Sequence, residues 1–447
     1  MKYLRLALLP LLAAVCGSTN ADARVTTIAG NGLAGIVDGA AGRARFLLPS
    51  GIAVRKSDGA IFVSDEAAQR IRELTRAGNV ITVAGSGALK SPGLSVEGGF
   101  ADGPALRAKF NRPAGLAIGP DGALYIADSL NGCIRKLLNG IVSTAAGKCY
   151  GLAGPAVRQP ADGPAAEARF VNPRGIVFDP KGNLYIGDPG AGLRRLGTDG
   201  NVTTIHLQSV PDNDIVSVAY GDGADPVILA TSPLHVVVYH PSSGKEAVIA
   251  NAESEGLRPF GEPNSVAGID SRQFLFTDAS AEVIRYLRLP APPFVGTTYT
   301  RAIAGDQRTT LGEGAGFRDG ALSTSQFNAP MGIATDGKTA YVADAGNRRI
   351  RKITLPQFRV SETGLSSMRT NSRYFEIALI GASYVFYDAL GDDSICAALE
   401  RALDASHRFD KPVRCHAIRI DSATLPSIAN YVEAFLPNER MDAVIVY

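Results

Sequence analysis

The stretch FNRPAGLAIGPDGALYIADSLNGCIRK, residues 110–136, holds three predicted strands of one antiparallel sheet. A turn leads into an apolar strand at 115–118, and a Pro-Asp-Gly turn leads into a second strand at 123–127 that ends in Asp128. A third strand follows, and an Asn-Gly turn, which favours a tight hairpin, precedes a fourth strand at 141–147. A sheet this small cannot bury its faces alone, so the unit predicts a repeat architecture.

The same unit recurs along the chain, at residues 45–73, 169–196 and 326–353, and more loosely at 261–287. In each copy an aspartate closes the second strand and an arginine follows seven residues later. These pairs are Asp65/Arg72, Asp128/Arg135, Asp188/Arg195, Asp278/Arg285 and Asp344/Arg351. In four copies an Asp-Gly also precedes a phenylalanine at a fixed spacing, at Asp38/Phe46, Asp102/Phe110, Asp162/Phe170 and Asp319/Phe327.

These repeated residues resemble the NHL repeat, a β-propeller family, over residues 25–355. Blades one, two, three and six carry the resemblance, and blade five carries it more weakly. Blade four is predicted from four strand-like runs between residues 215 and 251, namely IVSVAYGD, PVILATS, HVVVYHP and KEAVIAN. We therefore predict a mainly β fold with a six-bladed NHL-type propeller at residues 24–355.

The fourth strands predict how the ring closes. A VxTxAG-like strand follows the third strand of earlier blades, at 80–85, 141–147 and 300–305. The last blade has a third strand at 349–354 but no such successor, whereas VTTIAG at 25–30 is a spare copy. We predict that residues 25–30 pair beside 349–354, which joins the chain ends and removes exposed sheet edges.

The N-terminal residues have the features of a secretory signal peptide. Lys2 and Arg5 form a basic start, residues 6–15 form an apolar core, and residues 21–23 form a small-x-small cleavage site. The apolar core is too short to span a membrane. Residues 1–23 are therefore predicted to be a signal peptide, and the protein is predicted to be exported to the periplasm or beyond.

Membrane and nucleic-acid partners are disfavoured by the sequence. A lipid anchor at Cys16 is an alternative, but Val15 is a poor fit to the small residue that lipoprotein processing requires. No other run is long enough for a transmembrane helix. The formal net charge of +2 lacks the excess of base expected of a nucleic-acid binder. We expect a monomer whose partner is a protein, peptide or glycan.

Four cysteines remain beyond the signal peptide, in two neighbouring pairs. In the predicted hairpin Cys133 faces about Ala146, so Cys149 lies just past the position opposite it. An exported protein meets an oxidising compartment, which predicts a Cys133–Cys149 disulfide, with Cys396–Cys415 as a second candidate pair. The cysteine spacing is not that of a zinc site.

The five repeated Asp and Arg pairs are interpreted as structural. An aspartate at the end of a strand can accept backbone N–H bonds and pair with an arginine of the same or the next blade. Five copies at one position predict a structural ring rather than five catalytic groups.

The resemblance implies that the loops before the inner strands reach the mouth of the central channel. The candidate binding residues on these loops are Asn111, Arg112, Asn172, Arg174, Glu262, Asn264, Asn328 and Met331. Two arginines with several amides suit an acidic or hydroxyl-rich ligand, such as a glycan or a peptide carboxylate. The alternative is that these side chains only cap turns.

No metal or other cofactor is predicted. Some six-bladed relatives are enzymes that hold a metal in the channel. The histidines of the propeller, His206, His235 and His240, lie close together near blades three and four, whereas a central metal needs ligands from several blades. A metal-dependent lyase or lactonase is therefore disfavoured.

The repeat ends near residue 355, and residues 356–373 are predicted to be a linker because they are polar and lack periodicity. Residues 374–447 then alternate strands and helices. Strands are predicted at 375–380, 413–420 and 441–447, with a helix at 393–403 and another near 428–435. This βαβαβ order predicts part of an α/β domain with a parallel sheet.

The segment IALIGASYVFYDALGDDSICAALERAL resembles the opening block of SGNH-type hydrolases. The resemblance implies that Ser383 is a nucleophile and that Gly381 is retained, whereas Ala382 replaces the family's aspartate. A serine needs a base, and His407 and His416 do not lie in the family's Asp-x-x-His motif. The recognisable active site is therefore incomplete in this sequence.

Two functions follow from these observations. The leading prediction is ligand or partner binding through one face of the propeller, without catalysis. The alternative is a substrate-targeting propeller fused to a serine esterase or O-acyl hydrolase that acts on a carbohydrate or ester, with Ser383 as nucleophile and further site residues beyond Tyr447.

Overall fold

The structure is a computed structural model that describes most of residues 23–446. The segments outside the description are 1–22, 90–94, 151–158, 211–212, 224–225, 234, 252–262, 290–298, 306–314, 356–374, 383–412, 421–442 and 447. Residues Arg24–Leu355 form one compact unit.

This unit is a six-bladed β-propeller. Strand β1 (Arg24–Ala29) belongs to the last blade. Blade 1 contains β2 (Gly39–Ala40), β3 (Pro49–Arg55), β4 (Ala60–Asp65), β5 (Arg70–Leu74) and β6 (Asn79–Ala84). Blade 2 contains β7 (Gly103–Pro104), β8 (Pro113–Ile118), β9 (Leu124–Asp128), β10 (Cys133–Leu138) and β11 (Ile141–Ala146). Blade 3 contains β12 (Gly163–Pro164), β13 (Ile176–Phe178), β14 (Leu184–Asp188), β15 (Gly192–Leu196) and β16 (Asn201–Ile205).

The remaining blades complete the ring. Blade 4 contains β17 (Ser217–Gly221), β18 (Val227–Thr231), β19 (His235–Tyr239) and β20 (Glu246–Asn251). Blade 5 contains β21 (Pro263–Gly268), β22 (Gln273–Asp278), β23 (Val283–Arg288) and β24 (Tyr299–Ala304). Blade 6 contains β25 (Gly320–Ala321), β26 (Pro330–Thr335), β27 (Thr339–Asp344), β28 (Arg349–Thr354) and β1. The four runs predicted for blade four are therefore confirmed as one sheet.

The N-terminal strand closes the ring as predicted. Strand β1 pairs antiparallel with β28, with Val25 opposite Ile353 and Thr26 opposite Lys352. Its other edge pairs with β25, so both edges of β1 are occupied. A closed ring leaves no open sheet edge at the junction between the first and last blades.

The Asp-Gly segments form short outermost strands that were not predicted. Strands β2, β7, β12 and β25 each add two residues to the outer edge of a blade. In each of these blades the chain first forms the short outermost strand and then runs to the innermost strand. In the described residues, blades 4 and 5 each form a sheet of four strands.

The apolar core lies between neighbouring blades. Side chains of Phe62, Ile71, Leu116 and Ile126 form one buried cluster between blades 1 and 2. The repeated phenylalanines are at most 1% exposed and lie in or beside these interfaces; they are Phe46, Phe110, Phe170 and Phe327. Burying a phenylalanine side chain contributes about 1.5–3 kcal/mol, so these positions hold the ring together.

Residues beyond the propeller form a separate three-stranded sheet. Strand β29 (Phe375–Ala382) pairs parallel with β30 (Val413–Ile420) on one side and with β31 (Ala443–Val446) on the other. The predicted α/β domain stays a prediction, because the two predicted helices and the linker lie outside the described residues. Within the described part of the chain, we find no helix long and apolar enough to span a membrane.

Candidate functional site

In blade 2, the carboxylate of Asp128 joins three segments of the chain. It accepts hydrogen bonds from the backbone N–H of Asn111 (2.7 Å), from Arg135 Nη1 (2.8 Å) and from Asn131 Nδ2 (2.8 Å). The same guanidinium donates to Asp102 of the Asp-Gly segment at 2.5 Å. The arginine is thus held between two carboxylates, one buried and one at the rim.

The same Asp–Arg–Asp arrangement occurs in three further blades, as Asp65–Arg72–Asp38, Asp188–Arg194–Asp162 and Asp344–Arg351–Asp319. In all four blades the guanidinium carbon lies 4.9–5.2 Å from the ring centroid of the repeated phenylalanine. The rim aspartate also accepts the N–H and hydroxyl of an outer-strand threonine, which is Thr27, Thr82, Thr144 or Thr204. The repeated residues form one packing unit.

Blade 3 corrects one prediction, because Arg194 and not Arg195 bonds to Asp188. In blade 2 Asp128 pairs with Cys133 across the turn, whereas in blade 3 Asp188 pairs with Gly192, so this turn is one residue shorter. The shorter turn moves every following residue by one position. Arg194 therefore faces Ile186 as Arg135 faces Ile126.

Blade 5 has a reduced version of this unit. Arg285 Nε donates to Asp278 at 2.7 Å, but the arginine side chain is 16% exposed rather than fully buried. Among the residues that the structure describes, this blade has no short outer strand to supply a rim aspartate.

Burial changes the acidity of these aspartates. It raises the pKa of Asp65, Asp128 and Asp188 to about 6, against the opposing effect of the neighbouring arginines and N–H donors. Burial also raises the pKa of Asp344. All four carboxylates are occupied by donors from the protein, and we interpret them as structural.

The inner strands β3, β8, β13, β17, β21 and β26 surround a narrow axial channel. A Cβ added at Gly51, Gly115 or Gly332 would lie 2.0 Å from a carbonyl oxygen of the next inner strand. These glycines therefore allow the strands to approach closely. The resulting cavity has a volume of about 50 Å³, which admits a water molecule or a group the size of a carboxylate.

Six residues, one from each blade, line this channel directly before or at the start of the inner strands; we name this set the axial ring. They are Ser50, Ala114, Arg174, Val216, Asn264 and Met331. Arg174 is the one charged member. Within the described part of the chain, its guanidinium makes no hydrogen bond or ion pair.

Three of the predicted binding residues therefore meet at the channel. Arg174, Asn264 and Met331 all line it, and Asn264 Nδ2 lies 3.6 Å from Met331 Sδ. Neither the asparagine nor the methionine carries a charge, so Arg174 supplies the one charge among these three residues.

The other predicted binding residues lie elsewhere. The backbone N–H groups of Asn111, Asn172 and Asn328 are bound by the repeated aspartates, which fixes these loops in place. Arg112 has a side chain that is 48% exposed, and its Nε lies 3.0 Å from Glu66 Oε1. Glu262 lies outside the described residues.

Two residues that were not predicted fasten neighbouring blades at this face. Gln69 Oε1 accepts the backbone N–H of Arg112 (2.6 Å), and Glu282 Oε2 accepts that of Ala329 (2.5 Å). Both acceptors have φ angles in the left-handed region, at 54° and 59°. Their position directly before a third strand is the sequence signal that the two share. Burial raises the pKa of Glu282.

The predicted Cys133–Cys149 disulfide is present, with the two Cα atoms 5.2 Å apart. It fastens the loop after β11 to the start of β10. The next residue, Tyr150, donates its backbone N–H to Asn131 (2.8 Å). Cys396 lies outside the described residues, so its predicted pairing with Cys415 stays a prediction. No cluster of three or more potential metal-ligating side chains occurs among the described residues.

Comparison with known proteins locates an NHL repeat at residues 110–137. The chain carries an NHL repeat in a six-bladed propeller. The Arabidopsis thaliana protein SUPPRESSOR OF QUENCHING 1, chloroplastic, is 30% identical over an alignment of 306 residues that covers 60% of this chain. The propeller chain spans only 27% of the length of that protein.

Solved structures with low sequence identity share the fold. A Bacteroides thetaiotaomicron VPI-5482 protein of unknown function has a TM-score of 0.53 and 17% identity, over 74% of this chain and 75% of its own. An auxiliary nutrient binding protein from the same organism has a TM-score of 0.52 and 15% identity, over 74% of this chain and 76% of its own. At these identities the likeness concerns the propeller fold alone.

Proposed function

We propose that the propeller binds an acidic or hydroxyl-rich ligand at the axial ring, without catalysing a reaction on it. The observation that carries this proposal is Arg174, the single charged side chain of the ring, which has no polar partner among the described residues. A guanidinium offers a planar set of donors that matches a carboxylate in a bidentate geometry.

The small channel limits how such a ligand binds. A cavity of about 50 Å³ accepts one carboxylate or hydroxyl, so the remainder of a glycan or peptide would lie on the face around the ring. Asn264 lines the same cavity and supplies an amide for a second hydrogen bond. One structural neighbour is named as a nutrient binding protein, which supports a binding role for a ring of this form.

The test is binding to an array of acidic glycans and peptides, followed by calorimetry on the ligands that are retained. A hydrogen bond to a charged group contributes about 1.5–3 kcal/mol, so Arg174→Met should weaken binding roughly 10- to 100-fold. The exposed Arg43 at the outer rim provides the matched control, Arg43→Met, which should bind as the wild type does. Equal binding by both variants would refute the role of Arg174.

We propose export as the setting of this function, on the basis of the signal-like residues 1–23. Detection of mature protein that begins at Arg24 in the periplasm or medium would support this, and a cytoplasmic full-length chain would contradict it.

A second candidate function is acyl-ester hydrolysis by Ser383. The observation that favours it is the sheet order β30-β29-β31, in which the first strand of the chain, β29, lies in the centre between the two later ones. Ligands of open parallel sheets bind at the carboxyl end of such a strand, and Ser383 is the residue that follows β29. Fluorophosphonate labelling that is lost in Ser383→Ala would support this function, and an unlabelled wild-type protein would count against it.

A further inference from the structure

A second concavity lies between blades 1 and 2, on the side of the ring where the inner strands end. Its volume is about 620 Å³, within the range of sites that bind small ligands. The lining comes from the end of β3, from β8 and β9, and from the hairpin turn at Asn139 and Gly140. We name this concavity the interblade cleft. It shares no lining residue with the axial ring.

The cleft exists because aromatic residues that fill the next interface are replaced here. Between blades 2 and 3, Tyr125 and Phe178 pack edge to face with their ring centroids 4.8 Å apart. The equivalent pair between blades 1 and 2 is Phe62 and Ile118, since Ile118 pairs with Leu124 as Phe178 pairs with its partner in β14. The isoleucine is smaller than the phenylalanine and leaves space beside Phe62, whose ring is covered by the Arg55 guanidinium at 4.9 Å from its centroid.

The floor and the rim of the cleft are apolar. Phe62, Leu124 and Leu137 line its interior together with Ile118. At its edge Leu106 is 62% exposed and Leu138 is 38% exposed. Covering two exposed leucines beside an apolar hollow with an apolar group removes apolar surface from water, which lowers the free energy.

Arg55 and Glu73 are the charged residues that line the cleft, and together with Asp58, which pairs with Arg55, they carry a net charge of −1. Arg55 donates through Nε and Nη2 to Asp58 at 2.7–3.0 Å, so its guanidinium is already engaged. Glu73 Oε1 lies 3.7 Å from Arg55 Nη2, beyond hydrogen-bond distance, and its side chain is 17% exposed. In the described part of the chain, the Glu73 carboxylate accepts no hydrogen bond. The neighbouring Lys136 is paired with Asp121 at 2.7 Å.

We propose that the interblade cleft binds a short peptide segment that presents a bulky apolar side chain beside a lysine or arginine. The apolar side chain enters the hollow beside Ile118 and Leu137 and is covered by Leu106 and Leu138. The cationic head donates to Glu73, which supplies the hydrogen bonds that this carboxylate lacks. The peptide therefore requires both its apolar group and its positive charge.

The test uses two labelled peptides, acetyl-Leu-Phe-Lys-amide and acetyl-Leu-Phe-Glu-amide, and measures fluorescence anisotropy with the full chain. Wild-type protein should bind the lysine peptide at least tenfold more tightly than the glutamate peptide. Glu73→Gln keeps the size of the side chain and should reduce this ratio to less than twofold. Ile118→Phe, which restores the residue of blade 3, should weaken both peptides at least tenfold.

Two further measurements keep the test decisive. If Ile118→Phe lowers the melting temperature by more than a few degrees, Leu106→Gln replaces it, because Leu106 is exposed and its substitution should not disturb folding. Arg43→Met changes an exposed residue that does not line the cleft and should bind both peptides as the wild type does. Equal affinity of wild-type protein for the two peptides, an unchanged ratio in Glu73→Gln, or no binding at millimolar peptide would overturn the proposal.

Discussion

The guanidinium of Arg135 lies 2.8 Å from the carboxylate of Asp128, and both side chains are fully buried. Removing one partner of such a pair leaves an unpaired charge in the interior, which typically costs about 3–5 kcal/mol. The pair alone is weak evidence for stability, because each ion also loses its hydration. The pair instead holds the Asp128 carboxylate in place, and this carboxylate binds the loop before the inner strand to the end of the second strand.

The correction in blade 3 gives a direct test of this unit. Arg194→Met should lower the free energy of unfolding by about 3–5 kcal/mol, because Asp188 and Asp162 lose their shared partner. Arg195→Met removes the same charge one residue later and should cost less than about 1 kcal/mol. Urea unfolding of the two variants decides the matter, and equal losses would show that the register assigned to β15 is wrong.

The buried aspartates predict a particular dependence of stability on pH. Their pKa is about 6 in the folded protein, above the value of about 3.8 in an unfolded chain, so the folded state takes up protons first as the pH falls. Protonation of Asp65, Asp128 and Asp188 should therefore raise the free energy of unfolding progressively as the pH falls from 6 to 4. Carboxyl carbon chemical shifts measured against pH would test this, and midpoints below 4 for all three would contradict it.

Asp58 contributes to the pH dependence of stability with the opposite sign. Its hydrogen bonds with Arg55 lower its pKa to about 2, so the stability that it contributes is present above about pH 4 and is lost as the pH falls towards 2. The pair is exposed, and we expect its effect to be small. Asp58→Asn should leave the pH dependence of the free energy of unfolding unchanged between pH 6 and pH 4. It should reduce that dependence only below about pH 4.

The close approach of inner strands makes one glycine essential. A Cβ at Gly115 would lie 2.0 Å from the carbonyl oxygen of Arg174, so Gly115→Ala should destabilise the propeller by about 1–3 kcal/mol. Gly42 has nothing within 4 Å of an added Cβ, and Gly42→Ala should be close to neutral. Thermal unfolding of both variants measures the difference, and similar melting temperatures would argue against a tight channel.

The disulfide should contribute to stability through the chain that it closes. Cys133 and Cys149 are separated by 16 residues, and a loop of this length predicts about 3 kcal/mol of stabilisation. Cys149→Ser should lose about this amount in oxidising buffer. In a reducing buffer the wild type should lose a similar amount of unfolding free energy, whereas the variant should lose little more. If reductant destabilised both proteins equally, its effect would not come from this disulfide.

Ring closure can be tested by a cross-link. Thr26 faces Lys352 across the β1–β28 pair, so Thr26→Cys combined with Lys352→Cys should form a disulfide and raise the melting temperature. Each single variant controls for the substitution itself. Failure of the double variant to oxidise, while the protein remains folded, would show that these strands pair in a different register.

Much of the propeller could be predicted because its signal is local and repeated. Pro-Asp-Gly and Asn-Gly turns set the hairpins, and the spare VTTIAG copy at the N-terminus identified the closing strand. The misassigned Arg195 shows the limit of counting residues, because a turn shortened by one residue cannot be seen from spacing alone. The rim aspartates were visible as a motif, but their partners lie more than 30 residues away, as in Arg135 and Asp102.

The candidate sites were harder to predict than the fold. Arg174, Asn264 and Met331 were selected as loop residues, and their shared channel depends on six strands that converge from the whole ring. The interblade cleft had no sequence signal of its own. It results from Ile118 standing where the next blade has Phe178, and that difference matters only once the two blades are packed.

The closure by β1 also sets an order for folding during synthesis. The N–H of Thr27 donates to Asp319, which is 292 residues later in the chain. At typical synthesis rates of about 5–20 residues per second, the first strand waits roughly 15–60 seconds for its partners to be made. During that interval β1 has no partner strands, and its exposed backbone N–H and C=O groups can pair with other chains. Chaperones that hold a nascent chain should therefore matter more for this protein than its final stability suggests.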